Sequence, residues 1–191
     1  GNIVEKRMSF QHKDFIDYPY TASLCDFMDI FLIANCNFMI STSSGLDCVA
    51  QMFRKNILFP CLCPIMDTQS SSKNHMLAYR HLIDSETKKL LTLKDILGRD
   101  LGYIFADEKN KAKNIELQRI DPNLIKEVTQ EMILRVNQNF IAKNENKVLE
   151  NSFFKLFNKF PKSDPAGSLW HKDINFQISH TFLEKNIWWL S

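Results

Sequence analysis

The sequence predicts an α/β fold with a parallel sheet, and three observations carry that prediction. Residues 37–59 read as strand, tight turn, helix and strand, a βαβ unit of the kind that joins parallel strands. Asp121-Pro122 pairs an N-cap acid with proline at the first helical position, which opens a long helix. Hydrophobic residues make up 45% of the 191 positions, enough for a packed core, and no internal repeat interrupts them.

Residues 2–7 are expected as a short strand, and Pro19 makes 17–20 an extended or turning segment. A helix is expected to open at Ser23, with Asp26 completing a Ser-x-x-Asp capping pattern. Leu24, Phe27, Met28, Phe31 and Leu32 follow at helical spacing. Asp26 and Asp29 share one face, as a solvated stripe or a favourable charge at the helix start. Phe38-Met39-Ile40 is a buried strand cut short by polar residues, and Thr42 to Gly45 form a tight turn. Residues 46–54 are expected as a helix with Val49, Ala50 and Phe53 inward, and 56–59 as a strand closed by Pro60.

Residues 61–74 form a long Ser- and Pro-containing loop, a length that in a domain usually carries function. Residues 75–83 read as helical. Thr92 and Asp95 cap a short helix, 98–114 read as irregular, and 115–118 as a last strand. The helix after Pro122 places Ile125, Val128, Met132, Val136 and Phe140 on one face and is expected to run to about residue 142. Residues 1–143 thus form one domain and 144–191 a helical C-terminal tail. Within the tail, 163–167 form a turn, and 178–190 are helical around Phe182 and the Trp188-Trp189 pair.

Bulk properties exclude some classes. A net charge of +2 argues against a nucleic-acid-binding surface, which needs a clustered basic face. The five cysteines are odd in number and irregularly spaced, unlike a disulfide framework, and suit a reducing compartment. Cys61-Leu-Cys63 has the wrong spacing for a zinc knuckle, so no metal is expected. No apolar run reaches the ~20 residues that span a bilayer, so no transmembrane segment is expected, and no signal peptide is apparent.

The chemistry concentrates at Ser41-Thr42-Ser43-Ser44-Gly45, between a strand and a helix. Ligands of open α/β sheets bind beyond the carboxyl ends of the strands, and a helix N-terminus there offers N–H groups and partial positive charge to an anion. Glycine allows close backbone approach or a positive φ. The same residues also read as simple N-capping by Ser43 or Ser44. There is neither a Gly-x-Gly-x-x-Gly fingerprint nor a P-loop. Asp47 is placed to accept from a ribose or to favour the helix start. Lys73, Arg80 and His81 follow the long loop and are placed to reach a phosphate or to stand solvated. Trp170, Trp188 and Trp189 suit packing of the tail better than stacking on a sugar.

Asp26-Phe-Met-Asp-Ile30, Ala34-Asn-Cys36, Phe38-Met-Ile-Ser-Thr-Ser-Ser-Gly45 and Phe53-Arg54 together resemble a family of bacterial glycosyltransferases with a GT-B fold, found among genes for surface polysaccharides. The likeness begins near Arg7-Met8, covers Ile16-Asp17-Tyr18 and Leu91 to Ile96, and returns at Ile115-Glu-Leu117, Glu131-Met132 and Phe182-Leu183. It implies a Rossmann-like, nucleotide-sugar-binding C-terminal half with no room for the N-terminal Rossmann half. That other half would supply the acceptor side, for a glycan or lipid-linked acceptor, and leaves the catalytic residues unassigned. Taken with the turn and the positions above, the expected substrate-binding residues are Arg7, Asp17, Tyr18, Thr42, Ser43, Ser44, Gly45, Leu46, Asp47 and Arg80. Arg7 stands as a bidentate phosphate partner, although Ser9 replaces a glycine frequent in the family. No cofactor is implied beyond the nucleotide-sugar donor. The implied location is cytoplasmic, with a peripheral place at the inner membrane as its variant. Two other readings remain: a non-catalytic nucleotide- or partner-binding module, and a sugar-nucleotide epimerase-like domain.

Overall fold

The computed structural model describes residues 6–68, 72–103, 114–160 and 175–191. Strands β1 (Phe38–Ile40), β2 (Asn56–Leu62), β3 (His75–Tyr79) and a late strand β6 (Gln177–Ile178) form one sheet in the order β1-β2-β3-β6. Every pairing in it is parallel: Met39 faces Ile57, Leu58 faces Met76, and Leu77 faces Ile178. Strands β4 (Leu82–Asp84) and β5 (Ile115–Leu117) make a separate antiparallel pair. The helices are α1 (Asp26–Asn35), α2 (Leu46–Met52), α3 (Leu93–Gly98), α4 (Pro122–Val136), α5 (Asn144–Phe157) and α6 (His180–Lys185). Helices α2 and α4 both pack on β2, and α6 packs on α4 and α5. A four-stranded parallel sheet flanked by helices is an α/β architecture consistent with a Rossmann-like fold.

The βαβ unit stands where the sequence places it, with β1 and β2 parallel and α2 between them. Ala50 is buried, but Phe53 lies outside α2 and is exposed, because the chain turns at Arg54 through a left-handed φ of 54°. Pro60 does not close β2; the strand runs on to Leu62. Proline lacks a ladder donor, and the β2–β3 register shifts between Phe59 and Leu62, the kind of irregularity that admits proline in a sheet.

The helix expected over residues 75–83 is corrected to two strands. All five residues of β3 are buried, as a central strand of a parallel sheet requires. Helix α1 starts at Asp26 with Cys25 as N-cap, and Ser23 does not cap it. The Tyr18 hydroxyl instead engages both the N–H and the C=O of Cys25, at 3.3 and 3.2 Å. Helix α4 begins as expected, Asp121 accepting from the Asn123 N–H at 2.9 Å, but ends at Val136. Gln138 takes φ of 58° two residues later, which turns the chain and brings Phe140 under the Arg135 guanidinium, 3.9 Å from the ring centre. The Thr92–Asp95 capping box of α3 forms in both directions.

Beyond residue 143 the chain is helical in α5 and α6, and it also returns a strand to the sheet. Glu131 on α4 holds that return. It is 3% exposed and accepts from the Ser179 hydroxyl at 2.7 Å and from the N–H groups of His180 and Thr181 at 3.1 and 2.8 Å. Arg135 closes the pair through Nε and Nη2 at 2.8 and 2.6 Å, and its Nη1 reaches Gln177 of β6 at 2.6 Å. Next to this, Trp189 packs against Tyr79, Phe153 and Phe182, with centroids 5.6, 6.1 and 5.4 Å away. The tail thus contributes aromatic bulk to the core as well as helix.

The strand expected over 2–7 lies mostly outside the described residues, as do the turn at 163–167 and Trp170; Lys6 and Arg7 are not in a strand. Among the described residues no helix is long and apolar enough to cross a membrane.

Candidate functional site

The carboxyl end of β1 runs into a turn built on hydroxyls and one buried carboxylate. The Ser41 N–H completes the ladder by donating to the Leu58 C=O at 2.9 Å. Its hydroxyl donates to Asp47 Oδ1 in a short bond, while Asp47 Oδ2 accepts the Ser44 N–H at 2.8 Å. Asp47 is 4% exposed, and both its oxygens accept hydrogen bonds inside the turn. The Ser43 N–H donates to Ser41 Oγ at 3.2 Å, and the Ser43 hydroxyl to Asp67 Oδ2 at 3.2 Å.

The left-handed residue of the turn is Ser43, with φ of 66°, and not Gly45, whose φ of −57° is helical. The hydroxyl and carboxylate contacts on either side of Ser43 hold this otherwise disfavoured backbone. Gly45 meets the other expectation: a Cβ built there would find nothing within 4 Å, so the backbone is open to close approach. Thr42, Ser44 and Gly45 are exposed and Leu46 is half-buried. Gly45 is the N-cap of α2 and Leu46 its first residue, at the helix start where N–H groups have no intrahelical partner.

Arg80 leaves β3 at the same end of the sheet. Its N–H donates to the Leu62 C=O at 3.0 Å, and its Nε to the Gln118 C=O at 2.9 Å. Burial pushes the Cys63 thiol up to about 11; Arg80 pulls it down, while Asp67 and Cys61 push it further up. Asp67 also accepts from the Ser43 hydroxyl and so belongs to the turn. The β1 turn and Arg80 both follow the carboxyl ends of strands in the parallel sheet, and Asp47 and Asp67 bond within and onto the turn.

Arg7, Asp17 and Tyr18 fall in a different place. Arg7 lies over the Tyr20 ring, 5.0 Å from its centre, and Asp17 accepts the Met8 N–H at 3.0 Å. Arg7, Phe10, Asp17 and Tyr20 line a hollow of about 460 Å³ within the N-terminal segment. Tyr18 stands outside it at the start of α1, its hydroxyl pushed up by desolvation and by Asp29.

Sequence reasoning missed a smaller hollow, of about 230 Å³, beyond the end of β3. His81, Gln118, Arg119, Asp121, Lys185 and Asn186 line it. His81 is buried, and its Nε2 meets Asn186 Oδ1 at 2.8 Å. The Asn186 amide donates to Phe182 C=O, so its oxygen is the acceptor and the imidazole carries its proton on Nε2. Burial holds this imidazole below its ordinary value, against the pull of Asn186. No local signal marks Asn186 or Lys185, which arrive from the end of the chain. Among the described residues no group of three or more His, Cys, Asp or Glu is placed to hold a metal ion.

Comparison with known proteins finds no matching family model, no matching curated protein and no matching solved structure. The chemistry of the site therefore rests on its own geometry.

Proposed function

We propose that the chain is the donor-binding half of a bacterial GT-B glycosyltransferase, which takes a nucleotide-sugar and serves surface-polysaccharide synthesis in the cytoplasm. The observation that carries this reading is the open backbone at Gly45, at the carboxyl end of a parallel strand, with Arg80 following the carboxyl end of another. A diphosphate laid over residues 43–46 would meet first-turn N–H groups and, with Arg80, develop negative charge against fixed positive dipoles as the nucleoside diphosphate leaves. An N-terminal Rossmann half would bring the glycan or lipid-linked acceptor and the catalytic base.

One observation favours a second reading. Asp47 and Asp67 put two carboxylates at the turn, and they oppose a bound anion. A module that binds a nucleotide or a partner without turnover accommodates them more easily.

Calorimetric titration with UDP-, GDP- and CDP-sugars separates these readings when run on the chain alone and joined to an N-terminal half. The transferase reading expects binding of one donor and its loss in Gly45→Val, with the melting temperature little changed because the Cβ enters open space. No binding of any donor by either form sinks it; binding without sugar transfer by the joined form favours the module.

A further inference from the structure

Helix α1 carries Asp26 and Asp29 on one face and is apolar over most of the rest, yet none of its residues is buried. The apolar stripe of such a helix ordinarily faces a core. Phe27, Ile30, Phe31 and Ala34 follow the i, i+3, i+4, i+7 spacing of one stripe, and that stripe carries no charge. Phe27 is 70% exposed and stacks on Phe31 at 5.8 Å. Helix α1 packs on α2, whose end adds the exposed Met52 and Phe53, and the chain passes from α1 directly into β1.

Among the described residues β1 pairs with β2 alone and is the edge of the sheet. The Ser41 N–H points to β2, so by alternation the Ile40 N–H lies on the open side. Residues Phe38 to Ile40 carry no charge and no proline, the usual guards of an exposed edge. Ile40 itself is 49% exposed.

We propose that this face is a homodimer interface, in which β1 pairs antiparallel with β1 of a second copy across a two-fold axis and the α1 stripes cover each other. Self-complementarity selects the occupant. The free N–H and C=O groups of one β1 edge match those of an identical edge run antiparallel, and the contact closes on itself as an isologous pair. The area agrees. Phe27, Ile30, Phe31, Ile40, Met52 and Phe53 are each about half exposed or more, and side chains of this size offer on the order of 200 Å² each. Together they present roughly 700 Å² of apolar surface. That is above the ~300–600 Å² patch of an ordinary monomer and close to the ~800 Å² each partner contributes to a stable complex. The face borders the proposed donor turn at Ile40 but uses none of residues 43–46, and the inference stands whether or not that reading does.

Light scattering on the 191-residue chain tests it. The wild-type chain at about 100 µM should weigh twice its 22.3 kDa mass. Phe27→Asp with Phe31→Asp should return the single mass with an unchanged circular dichroism spectrum, since both side chains are exposed. Hydrogen exchange gives the second readout: the Ile40 amide is protected in the wild type and exchanges at least tenfold faster in the double variant. A wild-type chain of single mass overturns the proposal. So does a dimer that survives both aspartates, or one in which the Ile40 amide exchanges freely.

Discussion

Replacing Glu131 with glutamine should destabilise the protein by about 3–4 kcal/mol. The carboxylate accepts five hydrogen bonds, from Ser179, His180, Thr181 and twice from Arg135, at 2.6–3.1 Å. Glutamine keeps the shape but turns one acceptor oxygen into a donor that faces other donors. It also leaves the Arg135 guanidinium, 18% exposed, without its counter-charge. Breaking one side of a buried ion pair costs about 3–5 kcal/mol, and retained shape and partial access to water favour the lower part of that range. For a chain of this length the change lowers the melting temperature by roughly 6–16 °C. Urea unfolding at pH 7 reads the difference. Burial raises the Glu131 carboxyl, but Ser179, Arg135 and Thr181 more than offset it and hold the group below its ordinary value. Its stabilisation is therefore complete above the unfolded carboxyl value of about 4.3 and is lost as pH falls through the folded value. The gap between wild type and variant should narrow below about pH 4.5. A loss under 1 kcal/mol at pH 7, or a gap that does not narrow in acid, would refute the reasoning.

Other outcomes follow from the same geometry. His81 is held below its ordinary value by burial, so its contribution is present above about pH 6.5 and declines as pH falls through the folded value. Urea midpoints at pH 7.5 and 5.5 should fall further apart in the wild type than in His81→Phe, and equal differences would remove His81 as the cause. Gly102→Ala should cost about 1–3 kcal/mol, because its Cβ would stand 2.7 Å from Met66 Cγ and 3.2 Å from Phe160 Cδ1. Gly45→Ala should change thermal melting little, and an equal loss at both glycines contradicts the open backbone at Gly45. Alkylation at pH 8 followed by mass spectrometry should label the exposed Cys25 and Cys48 well before Cys63, whose thiol stands near 11. Early labelling of Cys63 would mean that the end of β2 is open to solvent.

Local chemistry by itself determined the elements whose causes lie within a few residues. Asp121-Pro122 opens α4 and Thr92 with Asp95 caps α3, because a cap is a contact between neighbours in sequence. The β1–α2–β2 unit was legible for the same reason, as were the hydroxyl-rich turn and its place at the end of a strand. The run from His75 to Ile83 was not, since a short apolar stretch buried on both sides has no period that separates strand from helix. Only the neighbours β2 and β6 make its first part a strand, and β5 its last residues. The site divides the same way. Gly45 stood out locally, but the burial of Asp47 and the Asp67 contact to Ser43 depend on the chain folding over the turn. Glu131 reads locally as one more acid on a helix. It becomes a buried cap because Ser179, His180 and Thr181 return from almost fifty residues away, and long-range burial of that kind is decided only in the tertiary structure.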